Sequence, residues 1–361
     1  MLTSKQTQEA VALLERLIAT PRISRDETAA ADLIGQFLDE RHISYHREAN
    51  NIWCVAPGFD ADRPTLLLNA HIDTVRPVSG WQRDPFTPTW EGERLYGLGA
   101  NDDGASLVSL LQTFRILAAQ ARLYNLIFLA SAEEEVSGAN GVARVLPLLP
   151  PISVALVGEP TGMQPAVAEK GLMVFDITVH GKAGHAARNE GVNAIYRAVD
   201  AIEWIRHYQF DEVSPLLGPV KMTTTIVQAG TQHNVIPDTC TFTVDVRSNE
   251  CYSNKAIYNK VSEGLAQLFD EAGVFDVKAR SFHLNSSRID LYHPLVKRAI
   301  ALGKTPFGSP TLSDQSMMPF PSMKMGPGQS SRSHTADEFI EIGEIEEAIT
   351  TYVELLTTFA E

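Results

Sequence analysis

Residues 65–73 read Thr-Leu-Leu-Leu-Asn-Ala-His-Ile-Asp, and the same grammar returns twice. Residues 125–135 read Asn-Leu-Ile-Phe-Leu-Ala-Ser-Ala-Glu-Glu-Glu, and residues 152–160 read Ile-Ser-Val-Ala-Leu-Val-Gly-Glu-Pro. Each opens as a short, almost wholly apolar run, the pattern of a strand buried on both faces of a parallel sheet. Each then breaks into acids or histidine. Between the first two runs, Ala105–Ala119 places Leu107, Leu110, Leu111 and Phe114 on one helical face. Strand, helix, strand in that order predicts a parallel α/β sheet.

Working upstream, Ile52–Ala56 is one more strand. Ala10–Ala19 carries Val11, Leu14, Leu17 and Ile18 at helical spacing, and Pro21 closes it. Ser24 with Glu27 reads as a capping box opening a second helix through Leu33 and Phe37. Downstream of Gly171 the texture changes. Met173–Val179, Met222–Gln228 and Cys240–Val246 alternate polar and apolar residues, as half-exposed antiparallel strands do. Helices over Asn193–His207 and Asn254–Phe269 complete a β-α-β-β-α-β order, the ferredoxin-like split βαβ unit. The reading is α/β: a mostly parallel-sheet catalytic domain of residues 1–170 and 288–361, interrupted by an insert of residues 171–287.

Composition excludes several classes. The 361-residue length suits two domains rather than one. A formal net charge of −14 lacks the basic face that nucleic acid requires. No apolar run approaches the roughly 20 residues of a membrane helix, and Met1–Ala10 lacks the apolar region of a secretory signal. Cys54, Cys240 and Cys251 show no CxxC spacing and read as reduced thiols, so the expected location is the cytoplasm. Glu338–Glu347 reads as the wet face of a helix.

The chemistry collects where the strands end. In open α/β sheets ligands bind beyond the carboxyl ends of the strands, and three runs deliver His71, Glu133–Glu135 and Glu159 there. Carboxylates crowded in a cleft cannot all stay ionised without a compensating cation, for which a divalent metal is the natural solution. His71 and Asp73, two apart on extended backbone, share one face, suiting a ligand histidine and an acid that orients it. Asp102 and Asp103 follow the turn Gly97-Leu98-Gly99; taken alone they read as a helix N-cap.

In order along the chain stand His71-x-Asp73, Gly97-x-Gly99-x-x-Asp102, Glu134-Glu135, Gly158-Glu159-Pro160-Thr161 and Ser333-His334-Thr335. The insert adds Gly181-Lys182-Ala183-Gly184-His185-Ala186 and Asn234-Val235-Ile236-Pro237-Asp238. This set resembles the co-catalytic zinc aminoacylase and carboxypeptidase superfamily, the group of acetylornithine deacetylase and succinyl-diaminopimelate desuccinylase. The resemblance implies two divalent metal ions per chain, with Asp102 bridging them, His71 and Glu159 on one, and Glu135 and His334 on the other. Mixed nitrogen and oxygen ligands suit zinc and would accommodate cobalt or manganese. It further implies Glu134 as general base, Asp73 as the acid orienting His71, and His185 as an oxyanion donor, in cis or across a homodimer. Asn234 and Arg247 would hold the polar ends of the substrate, and Gly326-Pro327-Gly328 would line its carboxylate pocket. Leu98 and Gly104 depart from the family's usual Arg and Lys; neither position is a ligand. His46, His180, His207 and His293 match no motif and read as structural.

The implied reaction is hydrolysis of the amide of a small N-acylated amino acid. The run His334-Thr335-Ala336-Asp337-Glu338-Phe339 after Gly326-Pro327-Gly328 resembles the acetylornithine and acyl-lysine deacylases most. N-acetyl- or N-succinyl-L-ornithine is therefore the expected substrate, in arginine biosynthesis. The alternatives are a dipeptidase, carboxypeptidase or diaminopimelate desuccinylase of the same chemistry, and a non-catalytic binding protein, against which the intact Glu134 argues.

Overall fold

The computed structural model describes residues 4–188, 190–269 and 271–357. Contacts divide the chain into two units: one runs to Val167 and resumes over Arg288–Phe307 and from Ser313 onward, and the other comprises Ala168–Ser287 with Gly308–Leu312. Gly308–Leu312 goes with the second unit because Lys170 N donates to Ser309 O at 3.1 Å and Gly308 lies against Leu216.

The first unit is built on a sheet whose strands stand in the order His46–Glu48, Asn51–Val55, Asn125–Ser131, Thr65–His71, Val154–Val157 and Ser322–Lys324. Thr65–His71 lies parallel to Asn125–Ser131 on one side and to Val154–Val157 on the other, with His71 level with Ser131. Every residue of these three strands is buried, which explains their continuous apolar runs. Because they are parallel and in step, the residues that follow them emerge at one rim. The helix Ala105–Ala118 buries Leu107, Leu110, Leu111 and Phe114, the face its periodicity marks. The first helix begins at Ser4, earlier than its apolar pattern, because its opening turn is built mainly from polar residues such as Lys5, Gln6 and Gln8. Among the described residues no helix is long and apolar enough to cross a membrane.

The second unit is an antiparallel sheet in the order Lys221–Ala229, Thr239–Ser248, Gly171–His180, Phe275–Ala279, with helices Ala194–His207 and Asn254–Leu268. The sequence order is β-α-β-β-α-β. Alternate residues of Gly171–His180 are buried, and Phe175, Ile177 and Val179 join Phe242, Val244, Ile205, Val261 and Leu265 in one core. Lys221–Ala229 lies at the edge of this sheet and is mostly exposed.

Candidate metal centre

His71 ends its strand 2 % exposed, with its two ring nitrogens committed in opposite directions. Nδ1 lies 3.0 Å from the Asp73 backbone oxygen and 3.5 Å from its carboxylate, while Nε2 lies 3.1 Å from Asp102 Oδ1. An Nδ1–H donated to Asp73 leaves Nε2 as the ligating nitrogen, the orientation metal-binding histidines adopt. Burial would lower the His71 pKa, but the bonds to Asp102 and Asp73 raise it well above the ordinary value. Asp73 is fully buried and does more than orient the ring. Its carboxylate accepts from Glu134 N (3.0 Å), Glu135 N (3.2 Å) and Ser24 Oγ (2.7 Å), so it also pins the loop that presents the adjacent glutamates. Burial pushes Asp73 up, yet its bonds from His71 and Ser24 hold it below the usual carboxylate range.

Asp102 faces a histidine with each oxygen: Oδ1 toward His71, and Oδ2 3.7 Å from His334 Nε2. His334 Nε2 in turn lies 3.0 Å from Glu135. His71, Asp102 and Glu135 bring their ligand atoms within 4.8 Å of one another, as do His71, Glu134 and Glu159. Ligand atoms around a tetrahedral ion stand roughly 3.3–3.6 Å apart, so a cluster gathered within this bound brings its donors close enough for divalent ions. The electrostatics fit as well. Burial drives Glu134 well above the ordinary carboxylate pKa, with Glu159, Asp314 and Glu135 adding to it against His71. Glu159 is driven up in the same way, opposed by Lys324. The bond to Glu135 lifts His334 to about 9. A nitrogen and carboxylate cluster under this much mutual repulsion is the donor set a divalent cation relieves. His334 and Glu133 both occupy the left-handed backbone region, at φ 58 and 54, which non-glycine residues adopt rarely and mostly at functional sites.

A supporting layer lies beneath, and three of its members correct the sequence reading. Ser24 and Glu27 form no capping box: the helix starts at Thr28 with no side-chain cap, and Ser24 Oγ donates to Asp73 instead. The buried Glu27 carboxylate accepts from Arg25 N (2.8 Å) and Glu133 N (3.1 Å), joining the first helices to the glutamate loop. Glu338 is not on a wet helix face. It is buried and accepts from Gly99 N, Asn101 N and Asp102 N at 2.8–3.0 Å, with burial and the Asp102 charge pushing it to about 8. No side chain caps the helix at Ala105, so Asp102 and Asp103 are not its caps.

Sequence reasoning missed Arg22 and Asp314 altogether. Fully buried Arg22 donates to Ile72 O (2.6 Å) and Gly99 O (2.8 Å) and sets a positive charge among Glu338, Asp73, Asp103 and Asp102. A Cβ on Gly99, already at φ 73, would stand 2.4 Å from that guanidinium, so glycine is required there. Asp314 Oδ2 accepts from Asn69 (2.9 Å) and Ser131 (2.6 Å), tying together the two strands that lead to His71 and Glu134. The only local signal for either was a charged residue in a loop, which is common.

The remaining expected residues fall in two places. Gly326 and Gly328 are buried in the first unit, where a Cβ on Gly326 would meet Glu159 O at 2.5 Å and one on Gly328 would meet Asn101 Oδ1 at 2.1 Å. Gly326 O also accepts from Met163 N at 2.8 Å, so this turn clasps the Glu159 loop. His185 and Asn234 are exposed neighbours in the second unit: Gly184–His185 pairs with Val235–Ile236, and Ala186 N donates to Asn234 O. Arg247 is held by Asp245 through two bonds of 2.9 and 3.2 Å. His46 stacks on Trp53, His180 pairs with Asp276, His207 meets Glu203 and His293 caps Pro294–Ala301.

A family profile described as peptidase family M20/M25/M40 matches residues 67–358. The acetylornithine deacetylase of Shigella sonnei is 28 % identical over 362 residues, 92 % of each chain. The succinyl-diaminopimelate desuccinylase of Delftia acidovorans is 27 % identical over 65 % of this chain and 67 % of its own. The fold matches that of a dinuclear metal-binding peptidase from Bacillus subtilis with a TM-score of 0.74 at 18 % identity, over 98 % of both chains.

Proposed function

We propose a function from one premise: the chain belongs to the M20/M25/M40 peptidase family and is an amide hydrolase. Our reading is that it deacylates an N-acyl-L-amino acid, with N-acetyl- or N-succinyl-L-ornithine as substrate, in arginine biosynthesis. The carrying observation is Asp102, whose two oxygens face His71 and His334, with Glu134 beside the same cluster.

The donor set would take two divalent ions, zinc by preference and cobalt or manganese acceptably: His71 and Glu159 would hold one, Glu135 and His334 the other, with Asp102 available to both. Such ions would supply Lewis acidity to the acyl carbonyl and lower the pKa of the attacking water. Glu134 takes the proton of that water and returns it to the leaving amine. Burial and the neighbouring carboxylates raise its proton affinity in the metal-free cluster, and bound cations would draw it back toward the range of a working base. Asp73 keeps His71 in one orientation and the glutamate loop in register. His185 Nδ1 accepts from Ala187 N at 3.1 Å, so the neutral ring carries its proton on Nε2 and can donate to the developing oxyanion. Asn234 and Arg247 hold the polar ends of the substrate, and Gly326 and Gly328 shape the wall beside Glu159.

The protein acts as a homodimer in this reading. The exposed edge strand Lys221–Ala229 and exposed Tyr196, Val199, Ile226 and Val227 give the second unit a face suited to a second copy. The buried thiols of Cys54 and Cys240, outside any disulfide among the described residues, agree with the cytoplasm. Release of free amine from a panel of N-acyl amino acids and dipeptides, by protein reconstituted with zinc, cobalt or manganese, tests the function. The ornithine amides should have the highest kcat/KM. A preference for dipeptides or for N-succinyl-diaminopimelate would move the chain to that activity.

A further inference from the structure

On the Glu135 side of the metal cluster, the first unit opens a cavity of about 620 Å³ lined by Ser24, Arg25, Asp26, Thr74, Arg76 and Glu135, among others. Two arginines on its wall stand apart from the others near the centre. Arg22 is spent on Ile72 and Gly99, Arg83 pairs with Glu91 and Asp337, and Arg332 pairs with Glu344. Arg25 and Arg76 are exposed, and neither guanidinium pairs with a carboxylate among the described residues. Two guanidinia left open beside an acidic cluster are available to an anionic ligand. Asp26 offsets one of them and Glu135 the other, so the wall gains a positive balance once a cation at the cluster takes up Glu135.

The cavity wall is also fixed to the catalytic groups. Ser24 N donates to Thr74 O (3.1 Å), Thr74 N to Arg22 O (2.9 Å), Ser24 Oγ to Asp73, and Arg25 N to Glu27. The loops that carry Arg25 and Arg76 are therefore locked to each other and to the residue that orients His71.

We propose that this cavity is a subsite for a carboxylate at the far end of the acyl group, which makes the substrate an N-succinyl-type amide in preference to an N-acetyl one. The inference rests on the deacylase reading above. In a succinyl group, roughly 4 Å separates the amide carbon from the carboxylate carbon. Glu135 belongs to both the cluster and the cavity wall, so an arm leaving a carbonyl held at the cluster can enter this cavity, where guanidinium forks would bind its carboxylate in pairs of charge-assisted bonds. An acetyl group leaves both arginines in water at no cost. Discrimination therefore comes from attraction to the longer group, about 10- to 100-fold in kcat/KM for bonds of this kind.

The test measures kcat/KM for N-succinyl- and N-acetyl-L-ornithine with the zinc-loaded enzyme and its Arg25→Ala, Arg76→Ala and double variants. The succinyl-to-acetyl ratio should exceed about 10 in the natural protein and fall at least tenfold in the double variant, through KM, with Arg76→Lys restoring part of it. An unchanged ratio overturns the proposal. If neither amide is cleaved, the deacylase reading fails, and calorimetric binding of free succinate, acetate and phosphate decides the subsite alone. Succinate should bind the natural protein more tightly than acetate or phosphate, and the double variant should lose that difference. Equal succinate affinity in both proteins, or phosphate bound as tightly as succinate, overturns it.

Discussion

The candidate residues of the first unit and those of the second are held in opposite ways. His71 and Asp73 are almost without solvent, and Asp73 alone accepts three bonds from two separate loops. Beneath them Arg22, Glu27, Glu338 and Asp314 are buried charges, each bonded to a different part of the surrounding loops and strands. In the second unit, His185 and Asn234 lie exposed on a two-residue ladder, and His185 is fixed by a single side-chain bond. The first arrangement is fixed by burial and bonding, so any chemistry it performs would draw on electrostatic stabilisation without reorganisation. The second is an exposed surface, and in the proposed function it would join a site only when something meets it. Breaking one should remove chemistry or metal, and breaking the other should remove only transition-state support.

The largest effect falls on the preorganised side and splits two neighbours. Glu134→Gln should keep its metal and lose about 10²–10⁴-fold in kcat, the usual value of a general base. Glu135→Gln should instead lose metal, because His334 Nε2 lies 3.0 Å from it. Metal analysis beside kcat separates the pair; normal turnover by Glu134→Gln would show that the base is elsewhere.

A smaller effect is expected from the exposed side. His185→Ala should lower kcat by about 10²–10³-fold with metal content unchanged, the range for loss of one oxyanion donor. Mixing His185→Ala with Glu134→Gln chains asks whose site the histidine completes. If it acts across a dimer, one site per mixed dimer has both residues intact, and activity returns. Subunit exchange without recovery would rule out the trans arrangement.

The same contrast explains what was legible in the sequence. The rim residues were readable because buried parallel strands write continuous apolar runs, and the acids after them stand where such runs end. The supporting layer was not, because its bonds are long-range. Ser24 and Glu27 have the spacing of a local cap, yet they reach Asp73 and Glu133, 49 and 106 residues away. Glu338 carries the charge of a solvated helix but satisfies amides around Gly99, 239 positions earlier. No periodicity distinguishes a carboxylate that solvates a surface from one that closes a distant turn. Arg247 has a local partner instead: Asp245 is two residues back on one strand, hence on the same face.

The smallest effects concern stability, and here the two units should differ in sign. In metal-free protein, burial holds Glu338 near 8 and drives Glu134 and Glu159 well above the ordinary carboxylate range, while Glu135 lifts His334 to about 9. A raised folded pKa stabilises below the unfolded value and loses that contribution as pH rises through the folded one. The metal-free first unit should therefore weaken steadily from about pH 5 to pH 9. Asp73 and Asp102, held low, act the other way only at or below the ordinary carboxylate range, outside that window. Metal binding displaces the protons and should abolish the slope, because ligands bind deprotonated. In the second unit Asp176 is held low by paired bonds from Arg280 (2.8 and 2.9 Å), with Thr243 adding a third. That contribution is present above the unfolded pKa of 3.8 and is lost as pH falls through the lowered folded value. Hydrogen exchange resolved by segment can follow both units in one sample. Strands 65–71 and 125–131 should lose protection toward pH 9 without metal, while strands 171–180 and 239–248 hold theirs. Asp176→Asn should lower protection of the second unit only slightly at neutral pH, since the pair is partly solvated, and remove its residual acid sensitivity. A first unit equally protected at pH 5 and pH 9 without metal would mean that its buried carboxylates are compensated within the chain.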